Sequence, residues 1–308
     1  MGVEGLDLSG SLHWDEGLPR PQWDVISAWV LEHAPEQRLD AWTTAARSWL
    51  THLADAFGPP YRTSESDSFL LLTPNIETAE PLLGFAASCR NRLLTILSGV
   101  AGFQAYGKLV IIQLQNATDY YRYISPFFPE GELGGSCGVQ IREDYAHIAL
   151  HGWDRNAVEN TLAHELTHAA LSHLGMPQWI EEGLAQTFEH EMTHRSLLAV
   201  DTEMAARHKR YWSRHGLDDF WRGDGFAKSG KVQELSYQLA EILARLMLED
   251  ARPRWFGWVR EPQVRYFEFL QSANTADCGE AACQKHLGCS LSDLAARFLG
   301  KGNWSPGL

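Results

Sequence analysis

The sequence is short of positive charge. It sets 26 Lys and Arg against 39 Asp and Glu, a formal charge of −13 at pH 7, so the counterion release that drives nucleic-acid binding has no whole-chain source. Nucleic acids and anionic membrane surfaces are therefore not expected partners. Long apolar runs are also missing. The stretch LLGFAASCRNRLLTILSGV is cut by Arg90, Asn91 and Arg92, whereas a membrane-spanning helix needs about 18 or more consecutive apolar residues. Cysteine is scarce and odd in number, five in 308 residues, which suits reduced thiols better than a disulfide framework. The opening MGVEGLDLSGSLHWDEG has neither the basic nor the apolar region of a signal peptide, and Leu6 stands where a myristoylation motif has Ser or Thr. These absences lead us to expect an unprocessed, soluble, cytoplasmic protein. What the chain does have is apolar mass, 44% of residues with 12 Trp among them, enough to fold one large domain or two closely joined ones without staples.

Residues 1–35 hold Trp14, Pro19, Pro21, Trp23 and Trp29 with no sustained period, and read as an N-terminal cap. A helical pattern follows at about 36–57, stopped by Gly58-Pro59-Pro60. SFLLLTP (68–74) and KLVIIQLQ (108–115) read as buried strands around a helix at about 78–101, a β-α-β order. The alternating runs VQIRE and AHIALH, separated by Asp144-Tyr145, read as a hairpin. Helices are expected at about 155–174, 178–195, 199–214, 233–249, 263–272 and 291–299. The expectation is an α+β protein: a helical extension over 1–60, an α/β subdomain over 61–195 and a helical subdomain over 196–308.

The chemistry concentrates in NTLAHELTHAALSH. His164-Glu165-Leu166-Thr167-His168 places two imidazoles at i and i+4, on one face of a helix, where both can reach one metal ion. Glu165 lies one step round, placed to act as general base toward a water that the metal acidifies. A second copy, His190-Glu191-Met192-Thr193-His194, follows 26 residues on. Only the first has a convincing third ligand downstream, in PQWIEEGLA (177–185), where a break at Gly175-Met176-Pro177 lets two helices face each other.

HELTHAAL followed by PQWIEEGLA resembles the gluzincin clan of zinc metallopeptidases, the class with HExxH plus a downstream Glu, and most of all its compact peptidase MA-like domains. The resemblance implies a thermolysin-like zincin fold: a small mixed sheet with an edge hairpin, an active-site helix and a mostly helical C-terminal half. It also implies Zn2+ held by His164, His168 and Glu182, the Glu immediately before Gly183, with Glu181 as the alternative. Glu189, seven residues after Glu182, corresponds to a carboxylate that supports the ligands. Tyr237, in ELSYQLAEILARLM, corresponds to a hydroxyl that steadies the oxyanion, and otherwise reads as an interface Tyr with a satisfied hydroxyl. LGCSLSDLAARF resembles the helical tail of these domains.

Plainer readings apply elsewhere. Glu181 suits the exposed first turn of a helix, where negative charge complements the dipole. His190 to His194 lie too far along the same helix to share the ion and read as a polar, solvated end. A metzincin would need His where Leu174 stands. Cys278, Cys283, His286 and Cys289 lack a common structural zinc spacing and read as buried free thiols, and Cys137 as another buried thiol.

The functional expectation is a cytoplasmic zinc peptidase acting on a peptide or protein that lies extended along the hairpin near 138–151. Endopeptidase is favoured over aminopeptidase because no G-x-M-E-N segment is present to hold a free amine. The alternative is a metal-stabilised binding or regulatory module without turnover. The same donors would accept cobalt, nickel or manganese, and no oligomeric state is indicated.

Overall fold

The computed structural model describes residues 8–103, 106–129, 135–193, 198–251 and 261–307. The chain mixes α and β and divides into two compact units, Met1–Arg92 with Phe103–Ala169, and Leu93–Gly102 with Ala170–Leu308. Among the described residues no helix is long and apolar enough to cross a membrane.

The first unit opens with an antiparallel hairpin, β1 (Leu12–Asp15) and β2 (Leu18–Pro21), followed by α1 (Trp23–Leu31) and α2 (Arg38–Phe57). The hairpin and α1 lie in the segment that showed no sustained period, for two reasons. Strands of four residues are too short to establish an alternation, and Pro19 and Pro21 are tolerated in β2 because a two-stranded ribbon has free edges.

Next come β3 (Arg62–Glu65), β4 (Phe69–Thr73), α3 (Ala79–Ile96), β5 (Leu109–Leu114), α4 (Ala117–Ile124), β6 (Gly138–Ile141), β7 (His147–His151) and α5 (Arg155–Leu171). Strands β3 to β7 form one mixed sheet in the order β3-β4-β5-β7-β6. The expected β-α-β order is present: β4 and β5 are parallel, with Leu70 opposite Val110 and Leu72 opposite Ile112. β7 runs parallel to β5, and the expected hairpin turns β6 back antiparallel as the sheet edge, Val139 opposite Ala149.

Alternate residues of the central strands, Leu70, Leu72, Val110, Ile112 and Leu114, join one core with Trp49, Leu50 and Leu53 of α2 and with Leu18, Ile26 and Val30. β4 is buried at every position, which is why it reads as an unbroken apolar run rather than an alternating one.

This core also holds a neutral histidine. His147 is 2% exposed and sits 2.6 Å from the Tyr145 carbonyl and 2.7 Å from the Tyr123 hydroxyl. A carbonyl only accepts, so Nδ1 carries the proton and Nε2 accepts from Tyr123. Burial lowers the pKa to about 4.

The second unit is helical, with no strand among its described residues: α6 (Gln178–Thr193), α7 (Thr202–His215), α8 (Asp218–Arg222), α9 (Asp224–Ala227), α10 (Lys231–Ala251), α11 (Glu261–Ser272), α12 (Glu280–Ala282) and α13 (Leu291–Leu299). α6 and α10 cross closely at Gly183, where a Cβ would stand 2.4 Å from the Ala240 carbonyl oxygen. Trp179 is fully buried at the start of α6. Its indole donates to the Cys278 carbonyl at 3.0 Å and meets Trp221 edge-on at 5.2 Å. Trp221 in turn donates to the Trp304 carbonyl at 2.7 Å, tying down the C-terminal segment.

Candidate metal centre

α5 forms where the motif requires a helix. The Asp154 carboxylate accepts from the Ala157 N–H at 2.8 Å, and Arg155 pairs with Glu159 one turn on. From Leu162 to Leu171 every residue except His164 is buried, so the helix is held on nearly all sides and its two imidazoles are kept still. The helix ends three residues earlier than expected. Ser172–Leu174 tighten into a 3-10 turn, and Gly175 takes the left-handed conformation, φ 60°, the usual glycine stop.

The two imidazoles meet as the i, i+4 spacing predicts. Their rings stand 4.9 Å apart, and Nε2 of His164 and Nε2 of His168 are separated by 3.2 Å. Two nitrogens bound tetrahedrally at zinc distances would be about 3.3 Å apart, so the spacing suits two ligands of one ion as well as an N–H···N contact. His168 and Glu165 are 9% and 7% exposed.

α5 also lies against the sheet edge, since a Cβ on Gly138 of β6 would meet the Thr161 methyl at 2.4 Å. A residue that the sequence reading did not assign belongs to this neighbourhood. Tyr120 of α4 is fully buried, hydrogen-bonded to Ser136 Oγ at 2.9 Å and packed 4.9 Å from the His151 ring. Burial pushes its phenol pKa up, and the nearby Glu165 charge adds to that.

On α6, Glu182 is 7% exposed, and so is Glu181. The expectation of an exposed Glu181 is corrected: Gln178 is the exposed residue of the first turn, and α6 is buried from Trp179 through Ala185. His190 is likewise not solvated. Its side chain is 12% exposed and approaches the buried Glu241 carboxylate of α10 at 3.5 Å, while His194 lies outside the described residues. Glu189 is half-buried on α6, and Tyr237 is half-buried on α10 with its ring 5.1 Å from Phe226. Cys278 and Cys283 are buried free thiols, as expected, and Cys289 is half-buried. Cys137 is exposed, correcting the buried expectation. Its backbone is tied to β7 through the His151 N–H, at 3.0 Å, while its side chain faces solvent.

One ligand atom from each of His164, His168 and Glu182 lies within 4.8 Å of the other two, the one such group among the described residues. Two imidazole nitrogens and a carboxylate oxygen are a donor set that a divalent transition metal accepts, with a further position left for water or substrate. No protein-family model matches the chain, and no curated protein matches it in sequence.

Proposed function

We propose that the protein is a cytoplasmic zinc-dependent peptidase of the HExxH-plus-Glu type with a thermolysin-like zincin arrangement. The observation that carries this reading is the convergence of His164, His168 and Glu182, two of them on a helix that also bears Glu165. Zinc bound there would supply Lewis acidity to a scissile carbonyl and lower the pKa of water. Glu165, buried and adjacent in sequence to His164, takes up the proton of the attacking water and delivers it to the leaving amine.

A peptide substrate pairs main chain to main chain with β6, the sheet edge beside α5. Tyr237 serves as the oxyanion donor and Glu189 as the carboxylate supporting the ligands. Endopeptidase action is preferred, for want of a carboxylate segment to hold a free amine.

The test is metal content of wild type and Glu165→Gln, with both assayed by mass spectrometry on a mixed peptide library. The proposal expects one zinc per chain in both proteins and cleavage by wild type alone. Zinc in both with cleavage by neither would replace the peptidase by a metal-stabilised binding module. A wild type that binds no zinc would overturn the site itself.

A further inference from the structure

Away from the metal centre, in the second unit, the sulfurs of Cys283 and Cys289 stand 3.8 Å apart. Their contact is framed by backbone structure on both sides. Cys283 opens a single wide turn, Cys283–Leu287, which Gly288 closes in the left-handed conformation at φ 73°, its N–H donating to the Cys283 carbonyl at 3.1 Å. Cys289 immediately precedes the Ser290–Asp293 capping box that starts α13. The reversal at Gly288 brings the later thiol back over the earlier one. A disulfide needs the sulfurs at about 2.05 Å, so closure asks for a movement of roughly 1.8 Å.

The two thiols differ in environment. Cys283 is fully buried, while Cys289 is half-buried and lines a cavity of about 300 Å³ together with Tyr266, His286, Arg265 and Arg297. The Tyr266 hydroxyl, on one of the lining residues, is buried without a hydrogen-bond partner. The two sulfurs share one S–H contact in which either can donate, and it sets them apart, Cys289 held below its usual pKa and Cys283 raised. Because Cys289 borders the cavity and Cys283 is fully buried, Cys289 is the attacking sulfur and Cys283 the resolving one.

We propose that Cys283 and Cys289 form a reversible dithiol–disulfide site, oxidised by a low-molecular-weight disulfide that enters the cavity beside Cys289. The Cys289 thiolate attacks one sulfur of RS–SR. The Cys289–SR bond forms, the RS–SR bond breaks, and the departing RS− takes up the proton that Cys289 released. Cys283 then loses its proton to solvent, and its thiolate attacks the Cys289 sulfur and displaces the second RS−, which is protonated in turn. Two protein thiols lose two electrons, and one small disulfide gains two and becomes two thiols.

The test uses the full chain with Cys137→Ser, which removes the exposed thiol, equilibrated in glutathione buffers of increasing oxidised fraction, acid-quenched, alkylated and read by peptide mass spectrometry. Cys283 and Cys289 are expected to lose alkylation together in one transition, as a disulfide joining them. Adding Cys283→Ser should accumulate about tenfold more glutathione adduct at Cys289 than its parent does, since nothing resolves it. Two thiols that stay alkylatable in excess oxidised glutathione would overturn the proposal, as would a Cys289 adduct equally abundant with and without Cys283. The parent measurement stands whether or not the double variant folds.

Discussion

Gly183 offers a sharp test of the helix crossing that carries Glu182. In a helix interior, replacing Gly with Ala should stabilise by about 1 kcal/mol through reduced backbone entropy in the unfolded chain. At Gly183 the added Cβ would stand 2.4 Å from the Ala240 oxygen and 2.9 Å from its carbonyl carbon, where ordinary contact begins at 3.4 Å. A backbone carbonyl within a helix cannot swing aside, so α6 and α10 must separate by about 1 Å, an overpacking cost of roughly 1–3 kcal/mol. The expected net effect of Gly183→Ala is therefore a loss of about 0–2 kcal/mol in place of the ordinary gain, read from the urea midpoint by circular dichroism. Zinc retention should fall as well, since Glu182 is the preceding residue. Gly84 is the control: it is exposed in the middle of α3, and a Cβ added there would meet nothing within 4 Å, so Gly84→Ala should stabilise by about 0.5–1 kcal/mol and raise the midpoint. A Gly183→Ala protein about 1 kcal/mol more stable than its parent, as at an open helix position, would refute the close crossing.

His147 should make the first unit acid-sensitive. Its folded pKa of about 4 lies below the ordinary 6.5, so between those values the unfolded chain binds more protons. Stability is full above about pH 6.5 and declines toward pH 4 by up to roughly 3 kcal/mol, a slope that His147→Gln should flatten in denaturant titrations. His208, lowered to about 4 by burial on α7, should act in the same direction in the second unit. Chelation, and His168→Ala separately, should abolish zinc binding, while Glu165→Gln should retain it, as elemental analysis would read. Trp179→Ala removes a fully buried indole and its bond to the Cys278 carbonyl and should cost about 3–5 kcal/mol in thermal or urea unfolding. Ser290→Ala breaks the capping box of α13 and should cost about 1 kcal/mol by the same measurement.

Relations within one element were legible in the sequence. The i, i+4 spacing placed the two imidazoles together, the run LVIIQL announced a strand covered on both faces, and Asp144-Tyr145 marked the turn of the edge hairpin. What stayed hidden falls into two kinds. Short elements carry too few residues for a period: α1 buries only Ile26 and Val30 of its nine residues, and α4 is announced by little more than its Asn116 cap. The other kind is proximity across the chain. Tyr120 comes near Glu165 across 45 positions of sequence, through the parallel pairing of β5 with β7, and no spacing rule encodes that.

The two copies of the five-residue motif show why context decides what a pattern means. His164 and His168 lie on a helix that, His164 apart, is buried from Leu162 to Leu171, and a carboxylate oxygen of Glu182 lies within 4.8 Å of a ring nitrogen of each. His190 and Glu191 lie near the end of α6, and there Nε2 of His190 approaches at 3.5 Å the buried Glu241 carboxylate, which Arg245 also approaches at 3.6 Å. The second copy thus has a carboxylate of α10 beside its first imidazole, while both imidazoles of the first copy lie within 4.8 Å of a carboxylate oxygen of α6. The same pattern comes apart on which carboxylates surround it, a property of packing that the sequence reveals only where, as at PQWIEEGLA, the carboxylate follows soon in the chain.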